Sequence, residues 1–233
     1  LGAVVLDAVP RGDRMIWLEI LVFCVTLYLL IVPFAMGLLV LGSVCRVRFV
    51  PKDAAEDREL LEELQLDTEE LASWGFAYLG SYAEKSLAAE SDIALWKQPN
   101  DPAFLMAAMV AGAKEPQIAF VSVLSWESGV SVSTGTAKSG HLPPLPKRAY
   151  LQTFEGADLG TLWRRHQEAE VAVVEGLRLE VQPYEVDVVR LLTHVYAELG
   201  KHFALKPWLW PVFVWRYWIG QHLRHNKTVA ELM

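Results

Sequence analysis

From Ile20 to Cys45 the sequence has no charged residue. Cysteine is almost absent: Cys24 and Cys45 are the only two, and none follows. On one helix, at ~1.5 Å per residue, they would sit ~31 Å apart. A disulfide needs its α-carbons within ~7 Å, so no bond can join the pair within the chain. The cysteine-free remainder fits a reducing compartment. Catalytic signatures are missing as well: there is no GxGxxG, HExxH or CxxC. Gly135-Thr136-Ala137-Lys138-Ser139 lacks both the first glycine of a phosphate loop and the glycine before its lysine. Five Lys or Arg and no acid lie between Lys201 and Lys227, yet the formal charge of the whole is −7. An acidic globular part argues against nucleic-acid binding.

What is present begins with Met15 to Val44, thirty residues holding one charge, Glu19. A bilayer core of ~30 Å is crossed by about 20 helical residues, so the run predicts a transmembrane helix over 15–45 after a short tail, 1–14. It is about twice as long as the h-region of a signal peptide. Arg46 and Arg48 follow it like a stop-transfer flank, and Gly42-Ser43-Val44 is a poor cleavage site. Pro33 and Gly37, near mid-span, mark a docking surface for another membrane helix, since small residues let backbones approach. Arg46, Arg48 and Lys52 on one side outnumber Arg11 and Arg14 on the other, which points to a cytoplasmic C-terminal domain.

Residues 46–74 read as an acidic helical collar. A helix covers Ala54 to Leu64, and a second opens at Asp67, with Glu70 at capping-box spacing. From Gly75 the texture turns to strands: Phe76–Ser81, Asp92–Lys97, Ala103–Ala111, Gln117–Trp126, Val130–Thr136 and Tyr150–Phe154. The intervals are too short for crossover helices, so an antiparallel meander is predicted. Lys138–Lys147, with three prolines, is a connector. Asp158 caps a helix striped by Leu159, Leu162, Trp163, His166, Val173 and Leu177. Another helix follows Pro183, striped by Val188, Leu192, Val195 and Leu199 and stopped by Gly200, and both helices are expected on one face of the sheet. The class is α+β: a transmembrane helix, a globular domain over 75–200, and a basic aromatic segment over 201–233. In that segment Trp208, Trp210, Trp215 and Trp218 fall within eleven residues, beside Arg216. Thirteen apolar residues are too few to cross a bilayer, but aromatic bulk beside positive charge suits an amphipathic helix in the head-group layer.

Asp187, His194, Glu198 and His202 fall within ~80° of arc on a helix, and such a face can bind zinc or iron. The same arc suits a solvated flank, and no metal and no cofactor is expected. His222 and His225 sit in a basic run that repels cations. A ligand pocket between sheet and helices would be lined by Trp96, Trp126 and Trp163. The ordered parts, with "LPPLPKRAYLQTFEGADLGTLWRRHQEAE" and "KPWLWPVFVW", resemble a loose set of uncharacterised single-pass membrane-anchored bacterial proteins. The resemblance implies the architecture and a bacterial membrane, and carries no activity. The resulting expectation is a non-catalytic accessory subunit, with membrane lipids and integral membrane proteins as partners. A membrane-tethered module for a lipid or small ligand is the alternative.

Overall fold

The computed structural model describes residues 11–86, 90–99, 101–110, 115–136, 148–181, 187–211 and 229. Helix α1 runs unbroken from Arg11 to Cys45, with Pro33 inside it. Its side chains are exposed from Ile16 to Leu29. Ile16–Cys45 is, among the described residues, the one helix long and apolar enough to cross a membrane.

Strand β1 (Arg48–Pro51) follows and pairs antiparallel with β2 (Ala77–Lys85). The sequence predicts Arg48 in the flank of the anchor and 46–74 as a helical collar. Arg48–Pro51 is instead the edge of a sheet, where proline is tolerated because its missing N–H faces no partner. Phe49 packs into the core from this strand, and Lys52 Nζ lies 2.7 Å from Asp92 Oδ1.

Between β1 and β2 come α2 (Ala54–Leu64) and α3 (Thr68–Ser73). The full capping box belongs to α2: Asp53 accepts from the Glu56 N–H, and the Glu56 carboxylate accepts from the Asp53 N–H. At α3 only half of the expected box forms, Asp67 accepting from the Glu70 N–H. Leu60, Leu64 and Leu71 are buried, so the acidic segment contributes to the core rather than standing apart from it.

The sheet continues with β3 (Glu90–Lys97), β4 (Ala103–Val110), β5 (Gln117–Ser125), β6 (Val130–Gly135) and β7 (Ala149–Thr153). Its seven strands lie in sequence order, and every neighbouring pair is antiparallel except β6–β7. That last pair is parallel because a long connection, residues 136–148, lets the chain return in the same direction. The β5–β6 turn uses Gly129 at φ +66°, a conformation costly for any residue with a β-carbon.

Strand alternation sends Ala94, Trp96, Leu105, Ala107 and Phe120 to one face, and Ile93, Leu95, Phe104 and Val123 to the other. Helices α2, α3 and α4 (Leu159–Leu177) cover the first face. Helix α5 (Val188–Ala204) covers the second. The expectation of α4 and α5 on one face is therefore corrected. A sheet whose central strands are apolar on both sides needs cover on both. The first core is built on Trp163, whose ring lies 5.1 Å from both Phe76 and Phe120. Such aromatic contacts add about 0.5–1.5 kcal/mol each beyond burial itself.

Candidate functional site

The junction of α1 with the domain is the most distinctive surface of the molecule. Along α1 the exposed run gives way to a buried stripe: Pro33, Gly37 and Val44 are buried, with Val40 and Leu41 half-buried between them. This 3.6-residue spacing is the mark of one helix face meeting a partner. The partner is the end of α5 and the 3-10 turn after it (Pro207–Leu209).

Two glycines allow the approach. At Gly200 a β-carbon would stand 2.7 Å from Cys45 Sγ. Gly200 does not end α5, as its type suggested; the helix passes through it to Ala204, and the missing side chain serves close packing against α1. At Gly37 a β-carbon would meet the indole of Trp210, 2.5 Å from its Cδ2. Trp210 is 5% exposed. It stacks on Phe203 at 5.2 Å between centroids and leans on Phe34 at 6.1 Å, while its Nε1 donates to the Phe203 carbonyl at 3.1 Å. That carbonyl is available because α5 is ending there.

The predicted interface residues therefore part company. Trp208 is 66% exposed, Trp210 is buried against α1, and Trp215, Arg216 and Trp218 lie outside the described residues. Gly37 packs against Trp210 of the same chain, and Pro33 is buried on the same side of α1. Sequence reasoning missed Gly200, Phe203 and Cys45 as members of this junction. The available signal was a glycine in an otherwise continuous helical stripe.

The residues of the proposed metal face have separate occupations. Asp187 caps α5, accepting from the Val189 N–H at 2.9 Å. His194 stacks on Trp126 at 4.5 Å. Glu198 pairs with Lys201 at 2.5 Å, and that hydrogen bond holds its carboxyl below the usual range. His202 Nε2 lies 3.5 Å from Lys206 Nζ. Burial, reinforced by that ammonium, pushes the His202 imidazole below its ordinary value. Among the described residues no three potential metal ligands converge. His222 and His225 lie outside them.

A second cluster sits between β5, β6, β7 and α4. His166 places Nε2 2.9 Å from Ser122 Oγ and Nδ1 3.0 Å from Thr134 Oγ1. Gln152 Nε2 donates to Thr134 Oγ1 and to the Arg165 carbonyl, both at 2.8 Å. Gln152 Oε1 accepts from the Val229 N–H at 3.0 Å. Glu170 Oε1 lies 3.4 Å from His166 Nε2. A hydroxyl beside an imidazole is the start of a nucleophilic pair. Here Ser122, Thr134 and His166 are all fully buried, and a hydroxyl rather than a carboxylate orients the ring. Neither the groove beside Trp96 nor the hollow beside Asp187 touches them. The cluster pairs the hydroxyls, the imidazole and the amide inside the core, as burial demands of them, while Glu170 Oε1 is buried beside it without a hydrogen-bond partner among the described residues.

Among the described residues the three tryptophans do not line one pocket. Trp96 and Trp163 belong to the core under α4, while Trp126 stacks on α5. What remains there is an open apolar groove of about 290 Å³ lined by Leu61, Thr68, Ala72, Phe76, Tyr78 and Trp96. Tyr78 donates to Asp57 at its rim, and its phenol is raised above the ordinary value, first by burial and then by that carboxylate. A second hollow, lined by Tyr82, Leu95, Lys97 and Asp187 among others, opens at the start of α5. Burial lowers the Lys97 ammonium there, and its Nζ is engaged by the carbonyls of Gln98 and Asp101. No protein-family model, no curated protein and no solved structure matches the chain.

Proposed function

We propose that this chain is a single-pass, membrane-anchored accessory subunit that holds its α+β domain at a fixed position on a larger membrane complex. One observation carries the reading: an unbroken helix whose most apolar window is only 12% buried, so that its side chains need a solvent other than water. Leaving Ile16, Leu18, Leu21, Phe23 and their neighbours in water would cost about 1.5–3 kcal/mol for each large side chain. The second support is the junction. Gly37, Gly200 and Trp210 fix the domain to the helix, and rigid coupling suits a bracing role better than a tethered catalyst. The surplus of Arg46, Arg48 and Lys52 on the domain side favours a cytoplasmic domain.

The test has two stages. Alkaline extraction of native membranes should leave the protein in the pellet, and release into the supernatant would defeat the anchor. Gentle solubilisation followed by sizing should give a particle with a stoichiometric membrane companion. A protein running alone would defeat the accessory role and leave the anchor standing. The ligand-binding alternative has less support, because Phe76, Phe120 and Trp163 fill the space between sheet and helices.

A further inference from the structure

We propose that the contact between Gly37 and Trp210 marks the domain-side boundary of the bilayer, and that Leu205 and Trp208 lie in the head-group layer of an anionic leaflet. The proposal rests on the anchored reading above and adds where the membrane ends and which surface meets it.

The level follows from helix geometry. Exposed apolar side chains begin at Ile16, just inside Arg11 and Arg14. Counting about 20 residues for a ~30 Å hydrocarbon core ends the span near Met36. That is one residue before Gly37, where the buried stripe on α1 is already established. The docked stripe on α1 lies at this level, while the apolar helix itself continues to Cys45.

The direction of the chain follows from the contacts. Gly200 meets Cys45, Phe203 clusters with Met36, Val40 and Leu41, and Trp210 meets Gly37 and Phe34. As α5 and the turn advance, their partners on α1 recede toward its N-terminus. Residues 200 to 210 thus descend α1 by the rise from Cys45 to Gly37, ~12 Å. They bring Leu205, 72% exposed, and Trp208, 66% exposed, to the membrane end of the domain. Leu38 and Leu39 are exposed on α1 at the same level.

The charges match a negative surface. Lys201 and Lys206 bracket Leu205 in the sequence, Arg46 and Arg48 follow the apolar run of α1, and Glu198, the acid of α5, is paired with Lys201. Tryptophan with a leucine neighbour and flanking lysines is the composition that partitions into the interface. Basic side chains are drawn to an anionic leaflet. The tryptophans accordingly divide their labour. Trp210 is the key that locks the domain to α1, and Trp208 is the residue that meets lipid.

Spin labels test this in the full-length chain. Cys24 and Cys45 are replaced by alanine, and single cysteines are placed by Leu27→Cys, Val195→Cys, Leu205→Cys and Trp208→Cys. All four positions are exposed, so labelling leaves the packing intact. In vesicles of phosphatidylcholine with phosphatidylglycerol, collision with oxygen is compared with collision with a water-soluble nickel chelate. The ratio at 205 and 208 should exceed that at 195 several-fold and fall below that at 27. If 205 and 208 match 195 while 27 lies in lipid, the boundary proposal is wrong and the anchor survives. If 27 is also nickel-accessible, both fail. If 205 and 208 are shielded from both reagents, protein covers the surface and the proposal is again wrong. Replacing Lys201 and Lys206 by glutamine should lower the ratio at 205 and 208 in the anionic vesicles and leave it unchanged in phosphatidylcholine alone. No change in either would overturn the anionic part.

Discussion

The indole of Trp210 occupies the space that any side chain at position 37 would need. Neither residue can change alone without cost. Gly37→Val drives a branched side chain into a ring held on its other sides by Phe203 and Phe34. Overpacking of this kind costs about 1–3 kcal/mol. Trp210→Ala empties a buried site, at about 3–5 kcal/mol. Because the two occupy one volume, the double variant should be less destabilised than the sum of the singles. A double-mutant cycle by thermal unfolding in detergent micelles reads the difference. Strict additivity would mean that the two do not touch.

Thr134 joins two halves of the buried polar cluster, since its hydroxyl meets both His166 Nδ1 and Gln152 Nε2. Thr134→Val keeps the shape and deletes the hydroxyl, leaving two buried polar groups without their partner. The expected loss is about 1–3 kcal/mol in a urea titration. Thr134→Ser restores the hydroxyl and should recover most of it. A Thr134→Val variant as stable as the parent would mean that the hydroxyl contributes nothing to the cluster.

Much of this fold can be read along the chain, and the exceptions have physical causes. Strands β3 to β6 and helices α2 and α4 follow from alternation, 3.6-residue stripes and aspartate caps. β1 is not legible, because four residues with a single inward Phe49 carry too short a period. Gly200 reads as a helix stop only while its surroundings are unknown; beside Cys45 it is a contact surface. The placement of α4 and α5 on opposite faces was legible in part. Ile93-Ala94-Leu95-Trp96 and Ala103-Phe104-Leu105 are apolar at every position, and such runs call for cover on both sides. The junction itself is a meeting of residues more than 150 positions apart, and no local pattern encodes it.

Val229 is fully buried among Leu124, Val130, Val132, Ala169 and Val173, and its N–H meets Gln152. A residue this late in the chain thus serves as part of the α4–sheet core. Val229→Ala should lower stability by about 2 kcal/mol, the value of the buried methyl groups. Hydrogen exchange should show the loss as faster opening of β6 and β7. An unchanged melting temperature would mean that the site is not filled in solution.

His202 sets a pH dependence with a definite sign. Burial, followed by the charge of Lys206, lowers its imidazole in the folded chain. The unfolded chain, with an ordinary imidazole value of about 6.5, therefore takes up the proton first as pH falls. Since the unfolded state binds more protons in this window, stability rises with pH across it. The contribution is fully present above about 6.5, and it is lost on acidification until the folded imidazole also titrates. His202→Gln should flatten the unfolding free energy over the window below neutral, leaving the alkaline side unchanged. Denaturant midpoints at a series of pH values measure this. A variant with the parent slope would place the titrating group elsewhere.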